Sequence, residues 1–186
     1  VDDLTRSMGN VSFYYQGRII ENIRISNTVD AYAVNGWESM KLENHSGIVD
    51  NYRFPKGDPE VMARYNAPLY LAVKMNRKVV STGDTTLVDT YIVNEKNLKG
   101  SYILNLVAKD ESGNVVASHK ERVTVKGGND YGQCLQSSWA FIPKSKGYTR
   151  IEASLLKGKT ELVKGDDLLF AVEPVSYTHL RAHETS

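Results

Sequence analysis

At Pro68 the hydrophobic pattern of this 186-residue chain changes period, and that change restricts the folds open to it. Beyond Pro68, Tyr102, Leu104, Leu106 and Ala108 alternate with Ser101, Ile103, Asn105 and Val107. Ile151, Ala153 and Leu155 alternate in the same way with Arg150, Glu152 and Ser154. A period of two puts one set of side chains on each face of a strand, so these segments are half-buried strands. The apolar runs at 69–75, 87–93, 115–125, 139–142 and 168–172 are expected to be strands as well. Stretches such as Asp110-Glu-Ser-Gly-Asn114, Gly127-Gly-Asn-Asp130 and Lys164-Gly-Asp-Asp167 supply turn chemistry between them.

About seven short strands, with turns roughly every ten residues, fit an immunoglobulin-like β-sandwich of about 100 residues. Before Pro68 the period is helical. Phe13, Gly17, Ile20 and Ile23 recur at the spacing of an amphipathic helix over 12–26. Ala31-Tyr-Ala-Val-Asn-Gly-Trp37 is a short apolar run of the kind that a parallel strand buried on both faces shows. Residues 38–67 are polar and irregular and read as a long loop. The loop ends in a short helix near 59–65, with Asp58 as its cap and Pro59 at its first position.

Charge and composition exclude some partners. The 23 basic and 22 acidic side chains sum to +1, which gives no basic field to attract phosphates, so no nucleic-acid partner is expected. No apolar run approaches the roughly 20 residues that span a bilayer, so no membrane partner is expected from this stretch. Cys134 is the one cysteine, so no disulfide forms within the chain and packing must stabilise it. It is expected as a small buried or half-buried thiol. No cofactor and no metal site are expected.

The motifs then give a resemblance. Gly36-Trp37-Glu38 closes the presumed strand, Asn44-His-Ser-Gly-Ile-Val-Asp50 and Arg53-Phe-Pro-Lys56 follow, and a short helix leads into the sandwich. This order resembles the place where the (β/α)8 barrel of glycoside hydrolase family 2 ends and its immunoglobulin-like domain begins. The sandwich, with Asp89-Thr-Tyr-Ile-Val-Asn-Glu95 and Leu98-Lys-Gly100, resembles the accessory domain of Bacteroidetes-type members. In the family a segment like Asn-Gly-Leu-Val, then Asp-Arg-x-Pro-Lys, follows the eighth strand; here His45 and Ser46 stand between the Asn and the Gly.

The resemblance implies a mixed fold, a C-terminal α/β piece of a (β/α)8 barrel followed by an all-β sandwich. On that reading residues 1–66 are the terminal part of an incomplete catalytic barrel and 67–174 are the sandwich. Residues 175–186 look like a translated sequencing adapter, so His179 and His183 carry no metal expectation despite standing four apart. The implied activity is that of a retaining β-glycosidase, of β-galactosidase, mannosidase or glucosaminidase type, acting on an oligo- or polysaccharide. Such enzymes use two carboxylates about 5 to 5.5 Å apart. In the family both sit on strand ends upstream of this chain, so no catalytic residue is expected here and the fragment alone should be inactive.

The implied substrate-binding residues are Trp37, as a stacking platform, with Glu38, Asn44 and His45 as hydroxyl partners. Asp50 and Arg53 are expected to pair and shape the loop. The expected partners are carbohydrate and the remainder of the chain's own barrel, and family habit suggests the periplasm or the exterior. The competing reading is a non-catalytic carbohydrate-binding or structural immunoglobulin-like module whose N-terminal third is a linker. In the sandwich, Tyr91, Tyr102, Trp139, Phe141 and Tyr148 are read mainly as core, and the sandwich from 69 to 173 is expected to be the better-behaved piece when expressed alone.

Overall fold

The computed structural model describes residues 2–34, 36–38 and 47–174. Two helices, α1 (Asp2–Ser26) and α2 (Pro59–Tyr65), precede eight strands. These are β1 (Leu69–Met75), β2 (Val79–Ser81), β3 (Thr86–Asn94), β4 (Gly100–Lys109), β5 (Val115–Val125), β6 (Gly132–Phe141), β7 (Gly147–Lys157) and β8 (Thr160–Val172). The strands form two sheets, β1-β3-β6 and β2-β8-β7-β4-β5, antiparallel throughout except for the short parallel pairing of β2 with β8.

The alternation read from sequence is the alternation of burial. Tyr102, Leu104, Leu106 and Ala108 on β4 and Ile151, Ala153 and Leu155 on β7 point inward. They meet Leu71 and Val73 of β1, Val88 and Ile92 of β3 and Phe141 of β6 in one core between the sheets. Each Leu or Ile buried there contributes about 1.5–3 kcal/mol relative to exposure.

β1 differs because both of its faces are apolar. Leu71 and Val73 enter the sandwich core, while Tyr70 and Ala72 face the other way into a second core. That second core takes Phe13 and Ile20 from α1, Met62 and Tyr65 from α2, and Val93 from β3. The molecule is therefore three layers deep at this point, helices over the small sheet over the large one. The sandwich that sequence suggests as a separable piece shares a core with the helices before it.

α2 has the bounds and the cap expected of it: Asp58 is extended, and its carboxylate accepts from the Glu60 amide at 3.0 Å. α1 is longer than the periodic stretch 12–26 and begins at Asp2.

The run at 31–37 corrects the expectation of a buried strand. Residues 31–34 are exposed and belong to no strand, and the Tyr32 hydroxyl donates to Asn66 Oδ1 at 2.7 Å. A parallel strand needs hydrogen-bonding neighbours on its edges, and among the described residues the nearest pairing is an isolated bridge just past this run, between Glu38 and Val49. A (β/α)8 portion is accordingly not displayed here; what is displayed is a β-rich unit with two helices. Cys134 also departs from expectation. It is exposed, because β6 is the outer strand of the small sheet and its pairing with β3 is interrupted by bulges.

Candidate functional site

Trp37 and Glu38 lie at the start of the loop that the resemblance singles out. The Trp37 carbonyl accepts from the amides of Ile48 at 2.9 Å and Val49 at 3.1 Å, so the returning loop is pinned beneath the tryptophan. The indole itself is 64% exposed, free to present a flat apolar face. Glu38 is exposed next to it. Asn44 and His45 lie outside the described residues, so their distance from Trp37 has no value here.

The rest of the loop is built by one carboxylate. Asp50 Oδ1 accepts from the amides of Tyr52 at 2.8 Å and Phe54 at 2.9 Å, and the Arg53 amide donates to the Asp50 carbonyl at 2.9 Å. This turn holds Arg53 at a positive φ of 68°. The loop is thus shaped by Asp50 and backbone amides, not by the expected Asp50–Arg53 ion pair. Lys56 at its end is buried, and burial lowers the pKa of its ammonium. Between the loop and the first half of α1 lies a polar cleft of about 870 Å³, walled by Asp50, Phe54 and Lys56 on one side and Arg6 and Asn10 on the other. Trp37 and Glu38 do not line it.

A second cluster was not legible in sequence. Where α1 crosses the edge of the sandwich, Arg18, Glu21 and Asp167 are all buried. Arg18 is 2.9 Å from Asp167 Oδ2, 3.1 Å from Glu21, and donates to the Val73 carbonyl at 2.8 Å. Tyr70 donates to Glu21 Oε2 at 2.8 Å, and Tyr14 to Asp167 Oδ1 at 2.7 Å. Lys74 stands 3.3 Å from Glu21 and Lys78 stands 2.6 Å from Asp167. Burial depresses the pKa of both lysines, their carboxylate partners acting against it. Burial and the Asp167 charge push Tyr14 up, and burial with the Glu21 charge does the same to Tyr70, so both hydroxyls stay protonated donors.

Taken singly, these charges read as ordinary surface residues. The available signal was local: Arg24 falls on the same side of α1 as Phe13, Gly17 and Ile20, with Glu21 beside it, where solvated charges do not belong. Their partners on β1 and β8 are remote in sequence. Among the described residues no group of three or more His, Cys, Asp or Glu side chains is arranged to hold a metal, and no helix is long and apolar enough to cross a membrane.

No protein-family model matches the chain, and no curated protein matches it. Among solved structures, a glycosyl hydrolase family 2 member from Bacteroides cellulosilyticus is similar at 16% identity and a TM-score of 0.43, over 55% of this chain and 15% of that one. A β-glucuronidase from glycoside hydrolase family 2 is similar at 14% identity and a TM-score of 0.42, over 55% of this chain and 11% of that one. A putative β-galactosidase from Bacteroides fragilis is similar at 12% identity and a TM-score of 0.39, over 55% of this chain and 16% of that one. The chain spans less than a fifth of the length of each.

Proposed function

We propose that this chain is the closing part of a (β/α)8 catalytic barrel and the immunoglobulin-like domain that braces it, from a retaining β-glycosidase acting on O-glycosidic bonds. The observation that carries the reading is the two-faced character of α1. One face buries Phe13 and Ile20 against the sandwich, and the opposite face leaves Leu4, Met8, Val11, Tyr15 and Ile19 exposed at helical spacing. A helix apolar on both sides is built to lie between two layers, as an outer helix of a β/α barrel does when a further domain packs on its back. The strand order supports the second half of the reading. β1-β3-β6 facing β2-β8-β7-β4-β5, with the short β2 moved across to pair parallel with β8, follows an immunoglobulin-like pattern.

In this reading Trp37 stacks on the apolar face of a sugar ring, and Glu38, Asn44 and His45 accept or donate hydroxyl hydrogen bonds. The two catalytic carboxylates belong to the barrel strands before this chain, which on its own is inactive. The exposed segment 31–34 favours a second reading, a non-catalytic module with an irregular linker at its N-terminal side.

The test is to read the source gene upstream of this stretch, express the whole parent and assay it on aryl β-glycosides. The glycosidase reading expects two strand-end Glu residues upstream, hydrolysis with retention, and no hydrolysis by the 186-residue chain. A parent with no barrel, or an inactive one with an intact fold, supports the module instead.

A further inference from the structure

A cleft of about 1010 Å³ runs along the flank of α1, between that helix and the edge of the sandwich made by β2, β7 and β8. Aromatic rings wall it from both sides. Tyr14 comes from α1, and Tyr148 and Phe170 come from β7 and β8, with centroids 4.7 Å apart. Tyr148 keeps 54% of its surface exposed, so part of its ring is open to a ligand.

The charges are sorted by depth. Glu21 and Asp167 have fully buried side chains and do not line the cleft, whereas the cations they neutralise, Arg18, Lys74 and Lys78, do. Arg6 adds a fourth cation to the lining, and Asp3 is the one acidic group among the described residues that line it. The surface a ligand meets is therefore cationic between aromatic walls, although the cluster beneath it is nearly balanced.

We propose that this cleft is a binding site for an acidic oligosaccharide, a chain of uronic acid units. Pyranose rings have apolar faces that pack on tyrosine and phenylalanine, and their carboxylates meet Arg6, Lys74 and Lys78 at the rim. Asn22 and Ser7, also on the lining, supply neutral donors and acceptors for hydroxyls. The choice of a sugar over an acidic protein segment rests on the glycosidase reading above; the aromatic and cationic lining stands without it.

The experiment is titration of the ¹⁵N-labelled 186-residue chain with tetragalacturonic acid, and with cellotetraose as the neutral counterpart, followed by NMR. The proposal expects shifts confined to α1 and to the neighbourhood of Lys78, Tyr148 and Phe170, with binding that weakens as salt rises from about 20 to about 200 mM. Tyr148→Ala and Arg6→Ala change exposed side chains, so the fold should survive, and each should weaken binding roughly fivefold or more. Equal, salt-independent binding of cellotetraose overturns the acidic assignment. The absence of shifts with either sugar, in a chain whose spectrum stays well dispersed, overturns the site. Shifts along Leu4, Met8 and Ile19 that grow with protein concentration instead identify a second copy as the occupant and also overturn it. None of these outcomes bears on whether the parent hydrolyses glycosides, so the two readings fail separately.

Discussion

Gly17 sits so close to the Tyr65 ring that an added Cβ would run into it, and Gly9 is pressed in the same way on the Lys56 carbonyl. Sequence showed Gly17 at a core-facing position but not that a ring lay against it. Gly17→Ala raises helix propensity by about 1 kcal/mol, yet the clash should outweigh that gain and leave a net loss of about 1–2 kcal/mol in urea unfolding. Glu21 is a harder test of the seam. Glu21→Gln keeps the shape but leaves Arg18 and Lys74 short of a buried counter-charge, and should destabilise the chain by about 3 kcal/mol. A loss below about 1 kcal/mol would mean the cluster is wetter than its burial implies. Asp110 gives the pH dependence. Amides of Asn114 and Ser112 donate to its carboxylate, and these bonds hold its pKa below the ordinary carboxylate value. The folded pKa lies below the unfolded one, so the contribution is complete above about pH 4 and is lost as pH falls through the folded value. Local opening of the β4–β5 turn, followed by NMR, should therefore set in only on the acid side of pH 4, and Asp110→Asn should flatten that dependence. The Asp58 cap and the Asp110 turn were legible because each acts within four residues; Glu21 and Asp167 were not, because their partners come together only when the chain folds.

Among the elements, the longer strands were the easiest to read, and 69–75 and 115–125 appear with the expected bounds. β2 was missed because three residues pairing parallel with β8 carry no alternation long enough to see. The run at 31–37 was misread for the complementary reason: an apolar composition resembles a buried strand wherever it sits, and only a neighbouring strand decides. The burial of β1 on both faces has a further consequence. A piece covering 69–173 would uncover Tyr70, Ala72 and Val93 and strand Lys74 and Asp167 without Glu21 and Arg18. That piece should melt at least about 8 °C lower than the described unit and bind a hydrophobic dye, contrary to the sequence expectation that it behaves better alone. Equal melting would show the helices to be passengers.

For the whole molecule, the proposed reading holds α1 between two layers, of which this chain supplies one. Leu4, Met8, Val11, Tyr15 and Ile19 trace a stripe about 22 Å long, opposite the face that packs on the sandwich. The fold separates two neighbouring isoleucines, burying Ile20 and leaving Ile19 60% exposed. The candidate loop divides likewise, with Trp37 placed and exposed and its relation to Asn44 and His45 resting on the resemblance alone. The most direct measurement makes the same double substitution, Met8→Glu with Ile19→Lys, in the 186-residue chain and in the full parent protein. If α1 is a barrel helix, the isolated chain should keep its unfolding free energy to within about 0.5 kcal/mol and become more soluble, while the parent loses its folded, active fraction. If the chain unfolds, or the parent keeps its stability and its activity, the exposed stripe faces no second layer and the central claim fails.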